Sequence, residues 1–169
     1  MKLVSLSTVV ARRVVIFILG AFVLVAMAPQ AAFAQINPAD VGTWKLNLAK
    51  SKYSPNTPPK SLTYKSEAVG QGMRSTFEGI NAEGKPIKQV YMLIYDGKPQ
   101  PATGVPGVDS ISITRVDTYK TAFTLTNAGK VIRTGTAVRS MDGKSTTISG
   151  KGVDDKGQQV DNVAVYEKQ

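Results

Sequence analysis

From Gly42 to Lys168 the chain is a succession of short runs separated by compact turn signals, and no other feature limits its fold so tightly. The turns are Val69-Gly70-Gln71-Gly72, Asn81-Ala82-Glu83-Gly84, Asp96-Gly97, Asp117-Thr118, Asn127-Ala128-Gly129 and Asp142-Gly143. Glycine, asparagine and aspartate tolerate the backbone angles of tight hairpins, so each cluster reverses the chain. The runs between them alternate with a period of two, which places successive side chains on opposite faces of a strand. Leu62, Tyr64 and Ser66 oppose Thr63, Lys65 and Glu67, and Met73, Ser75 and Phe77 oppose Arg74, Thr76 and Glu78. Strands are expected over 42–48, 60–68, 73–79, 87–95, 110–116, 119–126, 130–140, 144–151 and 160–168. After the N-terminal segment no apolar stripe of helical period occurs. The fold class is all-β.

A meander of this length has two unpaired edges, and closing it into a ring removes them. The run opening at Gly42-Thr43-Trp44-Lys45 and the run ending at Lys168 are expected to lie side by side. The expected architecture is an antiparallel up-and-down β-barrel of about 8–10 strands. Its interior would be filled by side chains or would hold one small ligand. Two connections are irregular: 49–59, whose three prolines rule out a long helix, and 98–108, whose Pro99, Pro101 and Pro106 point to an irregular edge segment or a loop at a barrel mouth.

Residues 1–34 read as a signal peptide. Lys2, Arg12 and Arg13 form a basic start, Val14 to Ala28 an apolar run too short for a comfortable membrane span, and Ala32-Phe33-Ala34 a cleavage pattern. Gln35 would then open a single barrel domain, 35–169, that is periplasmic or secreted and has no stable membrane insertion. Removing the three basic residues from the 21 leaves 18 against 12 acidic residues, a net charge of +6. The lysines are scattered at alternating positions, which suits a solvated strand face better than a nucleic-acid surface.

The mature chain has neither cysteine nor histidine. That excludes thiolate and imidazole nucleophiles together with histidine-ligated zinc or haem. No metal or other cofactor is expected. Catalysis would have to run on carboxylates, lysines or tyrosines. Gly79-x4-Gly84-Lys85 imitates a phosphate loop, but Pro86 stands where a magnesium-binding hydroxyl is needed. The segment 79–84 also matches 152–157 at an offset of 73 residues, as if one hairpin were used twice.

Gly42-x-Trp44 at the start, the meander, and Val165-Tyr166-Glu167-Lys168 at the end resemble the calycin superfamily of lipocalins and fatty-acid-binding proteins. Trp44 to Ser51 is similar to small exported bacterial lipocalin-like proteins of unassigned function. The resemblance implies that Gly42, Trp44 and Lys168 close one end of the barrel, the tryptophan packing against the cation. It does not carry over whole. The connection 49–59 is too short for the two helices of fatty-acid-binding proteins, and Ala164 stands where their carboxylate-gripping Arg-x-Tyr has its arginine.

By parity Tyr64, Phe77, Tyr91, Phe123 and Tyr166 line the interior. Small Gly135, Ala137, Gly150 and Ala164 would leave space opposite them. Arg133 and Arg139 share one face of their strand. The favoured reading makes that face solvent-exposed, with Ile132 and Val138 inward; the alternative turns both arginines toward a bound anion. Arg115 is expected at the rim. The function these residues support is non-catalytic binding of a small apolar or amphiphilic molecule. The alternatives are a filled barrel serving as an envelope interaction module through 98–108, or a carboxylate- and tyrosine-based enzyme.

Overall fold

The computed structural model describes residues 36–169, so the expected signal peptide and its cleavage site lie outside the described residues. A single 3-10 turn, Pro38–Asp40, is capped by the Asn37 side chain. Ten strands follow: β1 (Gly42–Leu46), β2 (Ser61–Val69), β3 (Gly72–Ile80), β4 (Pro86–Leu93), β5 (Gln100–Thr103), β6 (Ser110–Arg115), β7 (Lys120–Asn127), β8 (Lys130–Arg139), β9 (Ser145–Val153) and β10 (Gln159–Lys168). Each pairs antiparallel with its sequence neighbour, and β1 pairs with β10 to close the ring. The all-β up-and-down barrel expected from the turn spacing is what forms.

Closure is local chemistry as well as topology. Trp44 sits opposite Tyr64 of β2 on one side and opposite Lys168 of β10 on the other. Its indole is 1 % exposed and stacks on the Tyr64 ring at 4.8 Å and 9°. Lys168 Nζ lies 5.1 Å from the indole centroid, a cation–π contact whose charged end remains in water. Gly42 makes room for this pair. A β-carbon there would meet Lys168 Cε at 2.9 Å, at a φ of +149° that side chains rarely adopt.

The connection after β1 continues the wall. Beyond a 3-10 turn at Leu48–Lys50, Lys52 and Val163 exchange two backbone hydrogen bonds of 2.7 Å, and the Asp161 amide donates to the Ser54 carbonyl. This covers the part of β10 that short β1 leaves free and turns Tyr53 inward. The two related segments form the same hairpin. Asn81 N donates to Lys85 O and Gly84 N to Asn81 O, while Asp154 N donates to Gln158 O and Gly157 N to Asp154 O.

Two expectations are corrected. The segment 98–108 is not all loop, because β5 completes the ring through it. Pro101 is tolerated because β5 pairs over two residues with each neighbour: Ala102 and Thr103 with β4, Gln100 and Pro101 with β6. The favoured facing of β8 is reversed. Val138 is 40 % exposed, whereas Arg133 and Arg139 line the interior. The pairing jumps from Leu125–Arg133 to Thr126–Val131, leaving Ile132 as a bulge. The bulge puts Val131 outside although it shares the arginines' parity.

Candidate functional site

The barrel encloses a cavity of about 350 Å³, within the size range of small-molecule sites. The interior is therefore not filled by side chains. Tyr64, Phe77, Tyr91, Phe123, Arg133 and Tyr166 all stand on its wall, as does Trp44.

Cross-strand register assembles the aromatic side. Phe77 of β3 lies opposite Tyr64 of β2, which lies opposite Trp44. Successive ring centroids are 5.0 and 4.8 Å apart. Tyr166 meets Tyr64 edge-on at 5.0 Å, and Tyr91 meets Phe77 edge-on at 5.6 Å. These offset and T-shaped contacts suit the ring quadrupoles and fix the wall. Burial pushes the Tyr91 hydroxyl up to about 12, against an opposing pull from the Arg133 charge. Burial also raises Tyr53 to about 12 and lifts Tyr64 and Tyr166 well above the ordinary 10. All four phenols stay protonated at neutral pH and can only donate or accept hydrogen bonds.

Phe123 stands apart from this cluster. Its ring tip would lie 2.4 Å from a β-carbon on Gly135 and 3.6 Å from one on Gly150. The small late-strand residues therefore do not simply leave space. Gly135 and Gly150 seat the Phe123 ring, and Ala164 is buried among Trp44, Leu46, Tyr64 and Tyr166. Ile111, Ile113 and Leu125 are buried on the wall formed by β6 and β7.

Charge is concentrated toward the two ends. At the end where the chain enters β1, Asp40 accepts from Arg139 and, at 3.0 Å, from Arg115. Arg139 is held further by the Thr118 carbonyl at 3.2 Å, and the Arg115 guanidinium lies 4.3 Å from the Tyr95 ring centroid. Arg115 is thus at the rim, as expected, but turned inward. Toward the opposite end Arg133 donates through one terminal nitrogen to the Val153 carbonyl at 3.0 Å. Among the described residues no carboxylate pairs with Arg133, and its Nε is buried with no hydrogen-bond partner. Sequence parity missed Asp40 and Tyr53, which precede or follow β1 and carry no strand signal. The acid-and-tyrosine chemistry left open by composition finds only Asp40 as a wall carboxylate among the described residues, and two arginines clamp it.

Fold and site together define a ligand-sized β-barrel: a closed antiparallel ring, an indole-and-lysine plug, and a cavity sized for a small molecule. No protein-family model and no curated protein matches the chain. Among solved structures it is similar to zebrafish ileal bile acid-binding protein, crystallised with cholic acid. The two share 12 % identity over 78 % of this chain and 99 % of that one, with a TM-score of 0.45.

Proposed function

We propose that this barrel binds a small amphiphilic molecule with an acidic head and performs no chemistry on it. The observation that carries the reading is Arg133. It is a guanidinium on the wall of an aromatic-lined cavity; among the described residues no carboxylate pairs with it and nothing accepts from its buried Nε–H. A half-buried cation that meets one backbone carbonyl but no counter-charge is costly, and a ligand anion supplies both the charge and the acceptor for Nε. Tyr91 stands within electrostatic reach of the same group, so its neutral hydroxyl is available to the same head.

The test compares laurate with dodecanol, which share a tail and differ in the head, by titration calorimetry. Laurate should bind at least about tenfold tighter, the worth of one hydrogen-bonded charge. Arg133→Gln should bring laurate down to the affinity of dodecanol. Folded wild-type protein that takes up neither compound would refute the reading and favour a barrel that acts through its outer surface.

The reading includes export. The basic start, the apolar run and Ala32-Phe33-Ala34 support a peptide removed after Ala34. N-terminal sequencing of protein from the cell envelope should begin at Gln35, and a chain beginning at Met1 there would contradict it.

A further inference from the structure

The cavity has a second pole, and its charge is unbalanced in the same sense as the first. Three arginines line the wall, Arg115, Arg133 and Arg139, while among the described residues Asp40 is the only carboxylate there. Asp40 bridges Arg115 and Arg139, so that end keeps one positive charge in excess. Among the described residues three buried side-chain polar atoms have no hydrogen-bond partner. Two of them are the Nε atoms of Arg115 and Arg133, one at each pole. Native proteins seldom leave buried donors unmet, and each such donor marks a place where an acceptor is missing.

Resting on the binding reading above, we infer that the ligand is a dianion, with one acidic group at each end of an apolar body. One end meets Arg133 and the other meets Arg115. Register fixes the span. Arg115 is opposite Thr121 on β7 and Arg133 is opposite Leu125, four residues further along that strand. At about 3.3 Å per residue the poles are about 13 Å apart along the strand direction. Ile113 and Phe123 lie in the row between them, opposite one another on β6 and β7, so the middle of the ligand meets apolar surface. Asp40 competes for Arg115 and moderates the grip at that end without cancelling it.

The experiment measures the ratio of affinities for dodecanedioate and laurate, equal in chain length and differing in the second carboxylate. Wild type should favour the diacid by about tenfold, the worth of one further charge-assisted hydrogen bond. In Arg115→Gln the ratio should fall to about one. In Asp40→Asn, which keeps an acceptor oxygen but removes the competing charge, it should rise. Taking the ratio cancels any general loss of folded protein, and a gain in Asp40→Asn cannot arise from damage to the fold. A wild-type ratio near one with laurate bound, or a ratio unmoved by both substitutions, overturns the dianion while the acidic-head reading survives. If neither compound binds, both fall together.

Discussion

Trp44→Ala should cost roughly 3–5 kcal/mol of stability, the range for truncating a large buried aromatic. The indole is 1 % exposed, stacks on Tyr64 and sits under the Lys168 ammonium. Its removal leaves the row Phe77–Tyr64–Trp44 without its end member at the seam where β1 meets β10. Lys168→Ala should cost much less, because the lysine is exposed and its charge already faces water. Urea unfolding followed by far-ultraviolet circular dichroism measures both, since the variant loses the chain's only tryptophan as an optical probe. A Trp44→Ala midpoint matching that of wild type would mean that the indole does not close the barrel.

The second large effect is expected at Gly135, with its cross-strand partner Gly150 as the control. A β-carbon on Gly135 would come within 2.1 Å of the Ser149 carbonyl and 2.4 Å of the Phe123 ring. The carbonyl belongs to the barrel wall and cannot retreat without moving β9. Gly135→Ala should therefore destabilise by about 3 kcal/mol, the upper part of the range for overpacking. A β-carbon on Gly150 meets nothing closer than Arg133 Cδ at 3.4 Å. Gly150→Ala should stay within about 0.5 kcal/mol of wild type, as for substitutions that disturb no contact. Thermal unfolding of the two variants side by side decides the matter. Equal effects would show that Phe123 is not seated on Gly135.

Most of the barrel was legible because its information is local. Turn dipeptides and alternation need only nearest neighbours, and they placed nine strands to within two residues at either end. β5 was not legible. Pro99 and Pro101 argue correctly against a long ladder, and only the need to join β4 to β6 makes a strand there. The facing of Arg133 and Arg139 was a different kind of miss. Alternation defines two faces but not which is inside, and the apolar Ile132 and Val138 pointed to the wrong one. The bulge at Ile132 and the counter-charge of Asp40, 99 residues before Arg139, decide it in three dimensions. The aromatic wall could be read by parity, whereas the seating of Phe123 on two glycines depends on the coiling of β8 and β9.

The seam between β1 and β10 also sets the order of events in folding. Every other seam of the ring joins strands consecutive in the chain, so it can form as a local hairpin. Trp44 and Lys168 are 124 residues apart, and the β10 flank of the indole is not complete until the last strand has been made. Closing so long a segment has a high entropic cost before any contact rewards it, which slows the final step in proteins dominated by distant pairings. A chain still emerging from the ribosome lacks β10 and therefore cannot finish the barrel. The information for the fold is spread along its whole length, but the ring becomes a ring only at its last strand.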